Sequence, residues 1–480
     1  MKLSLQFLSK ALPGAQIFDG KALQKISDLK ELPVPEIECA LVIDSRMMQA
    51  GNAFLALSGD RVDGHDFLTV AIEKNAPAFF ISLGEEKRLQ KFPPSFFQKT
   101  LVICVPDTLA ALVSLAKTWR ARFSYPVVGI TGSVGKTTTK EMIAAILKHA
   151  GISACVSYKN QNTLIGVCLT ILRMDENHKA AIFEVGISER GEMVPKVEIL
   201  RPTIGVITVI AHQHMDGLGD LAEIAQEKLK IFSCLKTDGV GVVFGDQDLL
   251  DSVLYAHPVV RFGFREKNQV QASSVKTIHS ENGLPRTSFL LKIYSKQNKI
   301  CLRTNHDGML HDSLAAASVA NLLGVPFKKI ISGLESFNGF EQRFERRALK
   351  KNAGVIINDC YNANPESMSA ALLAIDKMVT KGPKIAVLGD MLGLGEKELF
   401  WHRQIGGVLS KTPSIKTVIL VGERARSIGK TAPLSIKIEY ADDWKQAHEK
   451  LEGLLVKNSL VLVKASNGMG LDRLVREVST

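Results

Sequence analysis

The stretch Gly129-Ile-Thr-Gly-Ser-Val-Gly-Lys-Thr-Thr138 constrains this chain more than any other. An apolar, strand-like run, Tyr125-Pro-Val-Val-Gly-Ile130, precedes it, and a helix-like run from Thr139 to Ala150 follows. Strand, glycine-rich turn, Lys-Thr and helix form the arrangement that cradles a nucleotide triphosphate. Backbone N–H groups of the turn and of the helix N-terminus point at the phosphates. Gly132, Ser133, Val134, Gly135 and Thr138 would supply the cradle, Lys136 would reach the β- and γ-phosphates, and the Thr137 hydroxyl would hold Mg²⁺. Counted from Gly132 the spacing is G-x-x-G-K-T, shorter than G-x-x-x-x-G-K-[ST]. The longer form fits only if counting starts at Ile130, which is not glycine.

At 480 residues the chain has room for about three domains of roughly 100–200 residues each. Its 46% hydrophobic and 23% charged residues describe an ordinary soluble globular protein. No run of about 20 apolar residues occurs, so no membrane span and no stable membrane association is expected. The start, Met1-Lys-Leu-Ser-Leu-Gln-Phe-Leu-Ser-Lys10, lacks the long apolar core and cleavage site of a signal peptide. Seven cysteines, none in C-x-x-C, with Cys104 and Cys155 in apolar runs, suit reduced thiols in a cytoplasmic protein. The net charge of +11 suits anionic partners, either nucleic acid or polyphosphate. The densest basic run, Arg343 to Lys351, lacks the interleaved aromatics of a single-strand platform, so no nucleic-acid partner is expected.

Three segments emerge: residues 1–105, 106–338 and 339–480. The first holds short apolar runs separated by turns. The second alternates strands (Pro126–Ile130, Ala180–Val185, Thr203–Ile210, Gly239–Phe244) with helices (Thr139–Ala150, Leu221–Cys234, Ser313–Leu323). The third alternates strands (Val355–Asn358, Lys384–Leu388, Thr417–Val421, Leu460–Lys464) with helices such as Ser367–Val379 and Glu396–Leu409. Near-continuous apolar strands between helices imply an α/β fold with parallel sheets covered on both faces. Ligands in such sheets bind at the C-terminal strand ends. Glu184 closes one strand, where a Mg²⁺ ligand beside a phosphate loop belongs. Ile210-Ala-His-Gln-His-Met-Asp-Gly-Leu-Gly219 closes the next and has the composition of a site loop. Glu223-Ile-Ala-Gln-Glu-Lys-Leu-Lys230, read alone, is a solvated helix face.

Taken in order, G-x-x-G-K-T-T, Glu-x-Gly, a His loop and a Lys-bearing helix resemble the Mur ligase family, ATP-dependent amide ligases of peptidoglycan precursor synthesis. Asn358-Asp-Cys-Tyr-Asn-Ala-Asn-Pro-Glu-Ser-Met368 is similar to the N-D-x-Y-N-A-N-P-x-S-M signature of the last ligase in that series, which joins D-alanyl-D-alanine to UDP-N-acetylmuramoyl-tripeptide. Val387-Leu-Gly-Asp-Met-Leu-Gly-Leu-Gly395 and His402 also match it. Asp44-Ser-Arg46 and Gly59-Asp-Arg-Val-Asp-Gly-His-Asp-Phe67 resemble its UDP-sugar-binding elements. The resemblance implies a small UDP-MurNAc-binding domain, a central ATP-binding phosphate-loop domain and a C-terminal Rossmann-like domain, in a monomer.

The resemblance also implies roles. Lys136 binds the transferred phosphate. Thr137, Glu184 and His214 hold Mg²⁺, together with Lys228 as its carbamate, an anion with oxygens suited to hard cations. Arg343 reaches the ATP phosphates, and Asp359 and Asn362 bind the nucleoside. Ser45, Arg46, Gly59, Asn160 and Asn162 face the UDP-sugar substrate. At the strand ends, Lys464 and Ser466 would take the D-alanyl-D-alanine carboxylate and Asp390 its amine. Gly393 stands where the family usually has Glu, Asn467 where it has Arg, and His306-Asp-Gly-Met-Leu-His-Asp312 replaces a glycine-histidine-asparagine run. Two alternatives stay open. One is a neighbouring ligase, either the diamino-acid-adding Mur enzyme or a folylpolyglutamate synthase. The other is a phosphate-loop NTPase whose nucleotide state controls partner binding.

Overall fold

The structure, a computed structural model, describes residues 1–59, 62–159, 161–213, 215–279 and 285–480. Two compact units divide it. One holds residues 1–129, 153–185 and 194–202, and the other holds 130–152, 186–193 and 203–480.

In the first unit a six-stranded sheet runs in the order Leu23–Lys25, Gln16–Phe18, Leu101–Val105, Ala78–Ser82, Ala53–Leu55, Leu41–Val42. The last four are parallel, and Gln16–Phe18 pairs antiparallel on both sides. Phe18, Phe54, Phe79 and Phe97 fill its core. The helix Thr108–Arg120 starts at an Asp107 cap and ends on Arg120, whose buried guanidinium donates to the carbonyls of Phe123, Leu200 and Arg201 at 2.7, 2.8 and 3.0 Å. That satisfies a buried cation with three acceptors. A parallel strand pair, Ala154–Val156 and Ala180–Glu184, belongs to the same unit.

The second unit contains two sheets. In one, Ile204–Ile207, Val240–Phe244 and Val259–Gly263 are parallel, and Val270–His279, Pro285–Ile293 and Lys296–Leu302 continue as antiparallel hairpins. The expectation of purely parallel sheets fails here. These strands carry polar residues along one face, as an antiparallel strand open to water does, so no continuous apolar run marks them. The helix Lys136–Ala150 packs against Asp307–Leu322 and Phe327–Ser336.

The other sheet has the order Glu345–Ala348, Gly354–Asp359, Ser459–Lys464, Lys384–Gly389, Ile415–Val421, Lys437–Ala441, all parallel except the first. Ile357, Leu388, Leu420 and Leu462 feed one apolar cluster, and their neighbours Ile356, Val387, Val421 and Val463 feed another. Alternate residues of each strand are therefore buried on opposite faces, as a helix-covered parallel sheet requires.

Candidate functional site

The strand Val127–Thr131 ends in the glycine-rich turn, and the helix begins at Lys136 rather than Thr139. Three consecutive threonines, weak helix formers, hide that first turn from sequence reading. Two glycines are obligatory. Gly132 has φ +144° and a Cβ there would lie 1.9 Å from Thr208 Oγ1. Gly135 has φ +90° and a Cβ would lie 2.0 Å from Asp312 Oδ1. Ser133 N–H donates to the Val209 carbonyl at 2.7 Å and Thr208 Oγ1 donates to the Val134 carbonyl at 2.5 Å, fixing the turn. Gly135 caps the helix without a side-chain hydrogen bond, and a helix N-terminus of this kind suits an anion. Lys136 Nζ donates to the Gly132 and Ser133 carbonyls at 2.7 and 3.3 Å, so its charge sits over the turn.

Opposite this turn lies a small cavity lined by Ser133, Gly135, Thr138, His306, Asp312, Arg343, Asp359, Asn362 and Lys464. The guanidinium of Arg343 covers the Tyr361 ring at 3.8 Å and donates to Thr137 Oγ1 at 3.1 Å. Phosphate-loop residues and the third-segment signature thus share one pocket. Asp359 accepts from Phe344 N–H at 3.1 Å and from Lys464 Nζ at 2.6 Å, and Lys464 also donates to the Asn362 carbonyl at 3.0 Å. His306 stacks on Phe344 at 4.7 Å, and burial holds its pKa down to about 4. Burial likewise pushes the Asp312 carboxyl, which faces Gly135, well above the usual carboxylate range.

Lys228 is buried, at 1% exposure, on the helix Leu221–Leu229, which an Asp220–Glu223 capping box starts. The helix ends at Leu229 and a single 3₁₀ turn, Lys230–Phe232, follows it, earlier than the expected end at Cys234. Glu227 anchors this helix. Its carboxylate accepts from Gly191 and Met193 N–H at 3.0 and 3.3 Å and from Lys230 Nζ at 2.5 Å. His214 lies outside the described residues, but its flanks do not. The His212 backbone N–H and ring Nδ1 both reach Glu366 Oε1, at 3.3 and 2.6 Å, and Met215 N–H donates to the Gly393 carbonyl at 3.1 Å.

In the first unit Glu184 is buried at the end of its strand and accepts from Asn162 Nδ2 at 2.9 Å, while its N–H donates to Ser157 Oγ. Asn160 lies outside the described residues. Ser45 and Arg46 form a short 3₁₀ turn capped by Asp44, whose carboxylate also pairs with the exposed Arg46 guanidinium at 2.7 Å. Gly59 N–H donates to the Val62 carbonyl. Sequence reading grouped His65 with this loop. The structure gives it a scaffold task, since its ring joins Asp63 Oδ1 (2.7 Å) to the Ser82 N–H (3.0 Å).

At the strand ends of the third segment, Asp390 Oδ1 accepts from Ala425 N–H at 2.7 Å, and Ser466 Oγ accepts from Leu392 N–H at 2.9 Å. Lys464, grouped with these two as a dipeptide contact, has its ammonium on Asp359 and lines the cavity with Asp359 and Asn362.

Models of three parts of one family match the chain: the Mur ligase family catalytic domain over residues 40–120, the Mur ligase middle domain over 130–306, and the Mur ligase glutamate ligase domain over 342–467. This chain belongs to the Mur ligase family. It is 34% identical over 439 residues to the UDP-N-acetylmuramoyl-tripeptide–D-alanyl-D-alanine ligase of Bacillus subtilis, across 91% of this chain and 92% of that protein. The MurF ligase of Thermotoga maritima, solved in complex with ADP, is 26% identical with a TM-score of 0.75, covering 91% of this chain and 96% of that one. MurF from Acinetobacter baumannii shares the fold, with a TM-score of 0.83 over 99% and 98% of the two chains at 24% identity.

Sequence reading missed His306 and Asp312 as lining of the pocket beside the glycine-rich turn, and the contacts among His212, Glu366 and Trp401. His306 and Asp312 stood in the run that departs from the family's glycine-histidine-asparagine pattern, and contacts between residues far apart in the chain leave no local pattern.

Proposed function

We propose that this Mur ligase adds D-alanyl-D-alanine to UDP-N-acetylmuramoyl-tripeptide at the expense of ATP, forming the pentapeptide precursor of peptidoglycan in the cytoplasm. The observation that carries the reading is the shared pocket. Arg343 and Asp359 of the third segment stand beside Thr137 and Gly135 of the phosphate loop, with Arg343 reaching Thr137 Oγ1 at 3.1 Å. The names of the relatives point to the same substrates. Segments 1–105, 106–338 and 339–480 would bind the UDP-sugar, ATP and the dipeptide respectively.

The tripeptide carboxylate attacks the γ-phosphorus of ATP, giving an acyl phosphate and ADP. The dipeptide amine then attacks that carbonyl and phosphate leaves. Lys136, Arg343 and the N–H groups of the first helical turn spread the charge that develops on the transferred phosphoryl group. Asp359 and Asn362 orient the nucleoside, Asn160 and Asn162 the acceptor, and Ser45, Arg46 and Gly59 the UDP moiety. Thr137 and Lys228, as its carbamate, would offer oxygens suited to a hard cation, with Glu184 and His214 as the further expected ligands. Mg²⁺ bound there would neutralise phosphate charge. The enzyme acts as a monomer without nucleic acid. Among the described residues no helix is long and apolar enough to cross a membrane.

Phosphate release tests the reading, with ATP, Mg²⁺, D-alanyl-D-alanine and the UDP-tripeptide carrying either meso-diaminopimelate or L-lysine. Release that needs both tripeptide and dipeptide supports it. Release indifferent to both favours a regulatory NTPase, and stimulation by a single amino acid favours a neighbouring ligase.

A further inference from the structure

The loop after the strand Ile204–Ile207 is tied down at both ends. At its start, Thr208 N–H donates to the Thr131 carbonyl at 3.0 Å, the Val209 carbonyl accepts from Ser133, and Gln247 brackets Ile210 by donating to its carbonyl and accepting from its N–H, at 2.7 and 2.9 Å. These contacts lock it to the glycine-rich turn and to Gln247, just past the strand Val240–Phe244. Beyond Ala211 its partners change. Glu366, in the first turn of the helix Pro365–Lys377, takes both N–H groups of His212 on one carboxylate oxygen. The His212 ring lies 4.1 Å from the Trp401 ring, on the helix Glu398–Leu409. The indole N–H of Trp401 is enclosed without an acceptor among the described residues, so stacking rather than hydrogen bonding holds that ring. Gly393, at φ +74°, turns its carbonyl onto Met215 N–H.

We propose that His212, Glu366 and Trp401 are positioning residues that set the backbone on either side of residue 214 from the third segment. The inference rests on the ligase reading, in which residue 214 serves the phosphoryl-transfer site. Groups from that segment hold the N–H of residue 212 on one side and the N–H of residue 215 on the other. The position of the third segment is thereby coupled to the flanks of residue 214. Gly393, where the family usually has Glu, joins this anchoring through its carbonyl.

The test uses the full-length enzyme and two readouts. His212→Ala and Glu366→Ala should each lower kcat, on the order of ten- to a hundredfold, with KM for ATP changed less than twofold, because misplacement costs turnover rather than ground-state binding. The double variant should lose less than the two single losses combined, since both single variants remove the same ring–carboxylate bond. His212→Asn, which keeps a donor near the Nδ1 position, should recover most of kcat. Independently, the emission component lost in Trp401→Phe should shift to the red in His212→Ala, because the indole face loses its cover. Wild-type kcat in His212→Ala, additive losses in the double variant, equal loss in His212→Asn, or unchanged Trp401 emission would each overturn the proposal. A wild-type enzyme that fails to ligate would sink the ligase reading instead, and the emission measurement would still decide whether His212 covers Trp401.

Discussion

Lys464 Nζ lies 2.6 Å from Asp359 Oδ2, and the two residues are register partners at the C-terminal ends of adjacent parallel strands. Both are nearly enclosed, at 2% and 8% exposure. Removing the lysine alone strands a buried carboxylate, which costs about 3–5 kcal/mol. Lys464→Ala should therefore lower the melting temperature, and Lys464→Ala with Asp359→Ala should lower it less. Asp359 also anchors Phe344 beside the nucleotide pocket, so in Lys464→Ala the KM for ATP should rise more than that for the dipeptide. A selective rise in dipeptide KM would instead return Lys464 to the dipeptide site.

Lys136 Nζ donates to two carbonyls of its own turn. Lys136→Ala should reduce ligation at least about a hundredfold, the scale for losing one preorganised charge-stabilising donor, with an unchanged melting curve. Ligation within tenfold of wild type would remove the turn from the reaction.

Lys228 is buried on the helix that Glu227 anchors, and the proposed function gives it a carbamate. Lys228→Ala should be nearly inactive, and added acetate should restore part of the rate by supplying the missing anion. Mass spectrometry of the native protein under bicarbonate should show an added CO₂ that Lys228→Ala lacks. Failure of both measurements would leave Lys228 a structural residue.

His306 gives a pH dependence of stability. Its pKa is about 4 in the folded chain against an ordinary 6.5. Between these values the unfolded chain binds a proton that the folded chain refuses, so stability falls as pH drops from 6.5 towards 4. The effect is up to about 1.4 kcal/mol per pH unit from this one group. Thermal melts of wild type and His306→Phe over that window should diverge, the variant being flatter. Parallel curves would show that His306 is not held neutral.

Much of this was legible beforehand. Gly132 to Thr138 announced the turn, and the alternation around Leu388 and Leu420 announced the third-segment sheet. Chemistry compressed into contiguous residues, such as Asn358 to Met368, reads well because its spacing survives in one dimension. The antiparallel strands from Val270 to Leu302 did not, since a sheet face open to water carries no unbroken apolar run. Nor did the pairing of Lys464 with Asp359. Residues 105 apart in the chain become neighbours only through strand order, which local pattern does not specify.

The space that each phosphate-turn glycine leaves is taken by an oxygen from a distant element, Thr208 for Gly132 and Asp312 for Gly135. Neither position can change alone. A side chain at residue 135 would need a smaller residue at 312 as well as relief of the backbone, and the same holds for 132 with 208. Across sequences diverging from this one, these positions should drift as two linked couples. A library randomising 135 and 312 together should yield folded survivors that one randomising 135 by itself does not.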